Sequence, residues 1–571
     1  MTAVSTFKRT ADAVRVAPSA SIESEFAPLL PAWQGWLQRV LASQVADPAS
    51  LLDGAFGEHG NGWYDGRQTG FVLAQLFSIY LRPDLVPHDR EALARALRRG
   101  TAFLLRRQHA DGRLDLGGAY SPNEAGFPTT GLALAFARLR SRPLDALADV
   151  LPSLEIFLRR AGEAILAGSA YTANHRWTAA CAPLAALHKL WPDARYLAKI
   201  EDYLADGLDC DADGCWFEER SPNYNAVANM GVLALADLLG RPELNDAVVR
   251  NGRFVLRCLQ PNGEIDSSFS HRQDRSEPGC RPATYGVARR WAQLSGDGRF
   301  TALAQRLLPT AQPLLEIVPL LFQMEAHPQA LPAPRPIEDR YDTHFTGTAI
   351  LRRRRGRTAL TLAADPGHHF FDTVRDQWGG ARHSDDWFHL HHGPLVIQSL
   401  HLAGAGLQNI QPRELTVGTD HRATLSGLAA GWTHTLHFRP DSPACPMTWD
   451  WCHAVTVDWK SDSIDLAIDT EPSTSLAAEL RLWVRPGATW AEGDDAPVPV
   501  QAGVTMMIKG GRPLHLRASG ATITLTGLPA AAHGMHIVHA QPIPSAMPRT
   551  CGCLALGLLF PVKLKLSLRL S

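Results

Sequence analysis

Asn174-His175-Arg176-Trp177 opens one run of small, helix-forming residues, and Ser221-Pro222-Asn223-Tyr224-Asn225 opens another. An amide, an imidazole and a phenol therefore stand at two helix starts. Such groups suit removal of an acidic proton beside a carboxylate: the amide hydrogen-bonds the carboxylate while the histidine or the tyrosine takes the proton. Tyrosine is a poor base at its reference pKa of about 10, so a nearby cation is needed to favour the phenolate. Arg176, Arg220 and Arg272 are candidates by loop position. Each residue alone also has a plainer use, because Asn caps helices and Tyr or His packs against their ends.

A second cluster lies in GGARHSDDWFHLHHGPLVIQSL, residues 379–400. If 387–391 is a strand, Trp387, His389 and His391 share one face while Phe388 and Leu390 share the other. His383 and Asp385 precede that strand as His-x-Asp, where a loop could present a proton-transfer imidazole and a metal-binding carboxylate. A solvated turn rich in His and Asp is the alternative.

The elements that must position these groups change character near residue 330. Before it, apolar residues recur at helical spacing; after it, short β-rich runs such as HAVTVDWKSDSIDLAIDTE and ATITLTGL alternate with Gly, Pro and Asp. The prolines of HPQALPAPRPI mark an extended linker at 327–337, dividing a helical domain, 1–326, from a β-rich domain, 338–571. Small-residue helices begin near Thr69, Thr130, Thr178, Ala226 and Ala283, at intervals of 61, 48, 48 and 57 residues. A repeat of about fifty residues with two antiparallel helices suits an incomplete (α/α) barrel, whose inner-helix loops would converge on one rim. Gln68, Asn123, Glu124, Arg176, Asn223 and Arg272 lie in those loops and become substrate-binding candidates. A binding solenoid has the same period.

Lys+Arg 56 against Asp+Glu 57 leaves a net charge of −1, so no global field recruits nucleic acid or an acidic membrane. RRRRGR (352–357) is either a polyanion contact or an exposed basic hairpin. Nine cysteines without paired CxxC spacing, and a first thirty residues lacking an apolar export segment, lead to the expectation of a cytoplasmic protein that neither spans nor binds a membrane.

Asn-His at one inner-helix start, a later Tyr at another, and Gly-Gly-x-x-His-x-Asp opening the β-rich part together resemble the heparinase II/III-like polysaccharide lyases, which include alginate and oligoalginate lyases. The resemblance implies an α+β multidomain chain, an N-terminal incomplete (α/α) toroid followed by a C-terminal antiparallel β-sandwich, and β-elimination on an acidic, uronate-containing polysaccharide or oligosaccharide. It implies that Asn174 neutralises the uronate carboxylate and Tyr224 protonates the leaving oxygen. His175 or Tyr224 removes the C5 proton, and His383 completes the site. Relatives often place a metal-binding aspartate after the strand that follows His-x-Asp; this chain reads VIQSLHL there and offers His401. A divalent metal such as zinc at Asp385 and His401, with no organic cofactor, is the corresponding expectation. A glycoside hydrolase on an α/α barrel is the competing enzyme reading, with a carboxylate pair drawn from Glu58, Asp65, Glu124 and Glu219.

Overall fold

The structure is a computed structural model. It describes residues 27–571 apart from 58–63, 85, 117–118, 142–144, 171, 217–219, 272–273, 275–277, 312, 365–386, 405–411, 420–421, 429–431, 437–444, 450–451, 472–476, 502–504, 531–535, 543–549 and 560. The described α-helices are α1 (Leu30–Ser43), α2 (Gly66–Leu81), α3 (Arg90–Arg107), α4 (Pro122–Ser141), α5 (Leu151–Ala167), α6 (Ala182–Leu190), α7 (Ala194–Ala205), α8 (Pro222–Leu239), α9 (Asn245–Cys258), α10 (Tyr285–Ser295), α11 (Gly298–Leu307) and α12 (Pro313–Ala326). A π-helical segment, His175–Cys181, leads into α6. None of the described helices is long and apolar enough to cross a membrane.

The chain divides into two compact units, residues 1–164 with 284–335 and residues 165–283 with 336–571. In the first, small residues let α2 and α4 approach closely and in parallel. A Cβ on Gly70 would lie 2.8 Å from Pro128, and one on Gly131 would lie 2.9 Å from Ala74. The start of α2 is fixed by Asp65, whose carboxylate accepts the Gln68 N–H at 2.7 Å.

The second unit joins the helices from the π segment to α9 with two nine-stranded antiparallel sheets. One sheet contains β1 (Arg340–Phe345), β2 (Ile350–Arg355), β3 (Thr358–Ala363), β4 (Phe388–His392), β5 (Leu395–Gly404) and β6 (Ala477–Val484) side by side, and continues through Thr550–Leu559, His536–Pro542 and Thr505–Ile508. In the other, Ser463–Thr470 and Lys563–Leu570 lie at the centre and bury alternate residues, as the period of a strand requires. Leu360, Leu390 and Leu482 of the first sheet share one hydrophobic core with Leu425, Ile464 and Leu568 of the second.

The opposite face of the first sheet is covered by residues 257–266 of the helical segment in the same unit. Arg352 donates to the Arg257 and Leu259 carbonyls at 3.1 and 3.2 Å, and the Tyr341 hydroxyl also donates to the Arg257 carbonyl. The arginine run at 352–357 is thus neither wholly exposed nor free. Arg352 is fully buried, and the buried Arg353 pairs with Asp342 at 2.9 Å. Trp387 also departs from expectation. His389 and His391 do share a face, with ring centres 5.1 Å apart, but Trp387 packs with Phe388 and Leu390 in the core.

Candidate active site

Two neighbouring helix starts carry the strongest candidates. The Thr178 hydroxyl donates to the Val227 carbonyl at 2.6 Å, and a Cβ at Gly231 would collide with Trp177 and Thr178, so the backbones of α8 and the π segment touch. Asn174 lies one helical turn before Thr178 and Tyr224 lies three residues before Val227, so each is about 5 Å along its helix from that contact. Asn174 is 1% exposed, and its Oδ1 is held by the Thr172 hydroxyl. This fixes the amide and leaves Nδ2 as the donor that a carboxylate would need. His175 and Tyr224 are half-buried, and Asn223 is exposed. A π-helix is rare and tends to occur at functional sites.

The first turn of α8 is held from both sides. Ser221 caps it, its Oγ accepting the Tyr224 N–H at 3.2 Å, with Pro222 at the first helical position. Fully buried Asp274 accepts from the Ser221 hydroxyl at 2.7 Å, the Asn223 N–H at 3.1 Å and the Ser270 hydroxyl at 2.5 Å. A carboxylate there also complements the positive end of the helix. Arg220, just before the cap, adopts φ +50° and is buried, donating to the Thr348 carbonyl at 2.8 Å and the Ala364 carbonyl at 3.2 Å. It ties the start of α8 to the ends of β-strands in its own unit. Asp274 carried no signal in the sequence, since it is one of several polar residues in a loop. The Ser-Pro cap could be read directly.

The remaining candidates are less closely gathered. Arg176 turns toward other partners, its Nε 3.4 Å from the Ala170 carbonyl and its Nη2 4.0 Å from Asp206. Gln68, Asn123 and Glu124 belong to the first unit, at the N-terminal ends of α2 and α4. Glu124 is buried and pairs with Arg67 at 2.9 Å; burial raises its pKa, with the Arg67 charge opposing. Of the carboxylates for a hydrolase pair, Asp65 caps α2, Glu124 has this ion pair, and Glu58 and Glu219 lie outside the described residues. Arg272, His383 and Asp385 also lie outside the described residues. His401 stands on β5 in register with Arg481 of β6. Among the described residues no three His, Cys, Asp or Glu converge as metal ligands would.

The covered face of the first sheet holds a buried polar network. Arg352 pairs with Asp266 at 3.1 Å, and both side chains are fully buried. Thr361 donates to Asp266, as does the Ser268 N–H at 2.9 Å. Burial pushes the Asp266 carboxyl up, but the neighbouring His389, the Arg352 charge and these hydrogen bonds outweigh it and hold it below the usual range. Burial lowers the pKa of His389 and lowers that of His391 further. Burial thus disfavours the protonated form of both rings, while the Asp266 charge works the other way on His389.

No family model matches the sequence, and no curated protein does. Solved structures do match in fold. Over 96% of this chain and 57% of the other, the structure resembles a Paenibacillus xanthan lyase, with a TM-score of 0.57 and 13% identity. Over 98% of this chain it resembles the chondroitin AC lyase of Streptomyces coelicolor A3, covering 80% of that chain with a TM-score of 0.54 and 13% identity. Over 96% of this chain it resembles heparinase III, covering 91% of that chain with a TM-score of 0.52 and 10% identity. The chain has the heparinase-like polysaccharide lyase fold. In this lyase fold Asn174, His175 and Tyr224 occupy neighbouring helix starts within one compact unit. The chain spans little more than half the length of the xanthan lyase, so the activity of that whole protein does not transfer with the fold.

Proposed function

We propose that the protein is a polysaccharide lyase that cleaves a uronate-containing polysaccharide or oligosaccharide by β-elimination. Its helical part would be an incomplete (α/α) toroid and its β-rich part a β-sandwich. His175 or Tyr224 removes the C5 proton, the electron pair forms the C4–C5 double bond, the C4–O bond breaks, and Tyr224 protonates the departing oxygen. Asn174 stabilises the charge that builds on the carboxylate, and His383 completes the site. The observation that carries this reading is the contact between the π segment and α8, which brings the starts bearing an oriented amide, an imidazole and a phenol beside each other.

The test is a screen of alginate, glucuronan, heparan, chondroitin and hyaluronan for ultraviolet absorbance. A lyase leaves an unsaturated, absorbing uronate end. Saturated ends would make the protein a hydrolase, and intact polymers would make it a binding protein. On whichever substrate responds, Asn174→Ala is expected to lower kcat by about 10²–10³-fold, the range for loss of one donor to developing charge. A change confined to KM would remove Asn174 from the chemistry.

A further inference from the structure

A cavity of about 460 Å³ opens in the first unit among the last turn of α2, the second half of α4 and α12. It lies at the opposite end of α2 and α4 from Gln68 and Glu124. Gln68 and Ser78 are separated by about 15 Å of helix. The volume falls within the range of small-molecule sites.

The lining combines charge and apolar surface. Arg90 lies 4.4 Å from the centre of the Tyr80 ring, and Arg138 lies 5.1 Å from that of Phe322. Arg138 pairs with Glu325, and Arg82 pairs with Asp84. Arg90 has no acidic partner among the described residues, so the cavity carries one uncompensated positive charge. Tyr80 is 1% exposed, so its ring supports Arg90 without offering its hydroxyl to the cavity. Leu134 and Val318 add an aliphatic wall.

We infer that this cavity is a second binding site, separate from the proposed lyase centre, for a small uronate of one or two sugar units. One carboxylate matches the one free guanidinium. The C–H face of the pyranose packs on Leu134 and Val318. The choice of a uronate rests on the lyase reading, while the second site itself rests on this cavity.

Calorimetric titration of the full chain with sodium glucuronate, glucose and cyclohexanecarboxylate tests it. Glucuronate is expected to bind and glucose to bind at least about tenfold more weakly, because a charge-assisted hydrogen bond is lost. Arg90→Ala should weaken glucuronate binding by about tenfold or more. Arg90 is exposed at the start of α3, so its truncation should leave the melting temperature and polymer cleavage unchanged. Equal glucuronate affinity in Arg90→Ala and wild type would overturn the site. So would cyclohexanecarboxylate binding as tightly as glucuronate, because the site would then select an apolar acid. Binding lost in Asn174→Ala but kept in Arg90→Ala would assign the ligand to the lyase centre and refute the second site. Binding lost only in Arg90→Ala, in a protein inactive on every polymer, would uphold the second site and refute the lyase reading.

Discussion

Tyr224→Phe is expected to lower turnover by about 10²–10⁴-fold, the usual contribution of a general acid–base group, while shifting the melting temperature by less than about 1 °C. The two effects separate because different atoms are involved. The start of α8 is held by the backbone N–H of Tyr224 on Ser221 Oγ and by Asp274 on Ser221 and Asn223, and none of these bonds uses the phenol. Phenylalanine keeps the ring and its packing. If the hydroxyl carries the proton to the leaving oxygen, its removal affects the transition state far more than substrate binding, so kcat should fall with little change in KM. Retention of more than about a tenth of wild-type turnover would remove Tyr224 from the proton path. A large drop in melting temperature would show that the phenol is structural.

The parts of this architecture that could be read from sequence are those with local causes. Ser221-Pro222 announces a cap and a first helical residue, and Asp65 announces the start of α2 through the same chemistry. The small residues at 70, 74 and 131 mark helices whose backbones must approach each other. Alternation fixes the inward faces of Ser463–Thr470 and Lys563–Leu570. The parts that could not be read depend on residues distant in sequence. Arg352 and Arg353 look like surface charge because nothing in RRRRGR reveals that residues 257–266 will cover that face of the sheet or that Asp342 will pair across the hairpin. Trp387 obeys strand alternation on paper, but it precedes the strand proper and packs into the core. The π turn at His175–Cys181 has no local signature at all. It accompanies the close contact between Thr178 and α8, which becomes visible only in three dimensions.

The buried pair Asp266–Arg352 should dominate the stability of the second unit. Asp266→Asn keeps the shape of the side chain but leaves the Arg352 guanidinium buried without a countercharge, and removing one partner of such a pair costs about 3–5 kcal/mol. A lower urea midpoint at pH 7 is the expected result. Replacing both partners, Asp266→Leu with Arg352→Met, should restore much of the loss, because a dry apolar pair avoids desolvating two charges. The pH dependence separates this pair from its histidine neighbours. The folded pKa of Asp266 lies below its unfolded value of about 3.9, so its contribution is present above that pH and is lost as pH falls through the folded value. His389 and His391 also have lowered folded values, but for a base the consequence begins at higher pH: the unfolded chain binds protons below about 6.5 while the folded chain does not. Wild-type stability should therefore begin to fall near pH 6.5 and fall more steeply below about 4. Asp266→Asn should start lower and keep the first decline, but lose the aspartate's share of the second. Urea midpoints of wild type and variant that coincide at pH 7, or that run parallel from pH 7 down to pH 2, would show that Asp266 does not anchor the sheet to the segment that covers it.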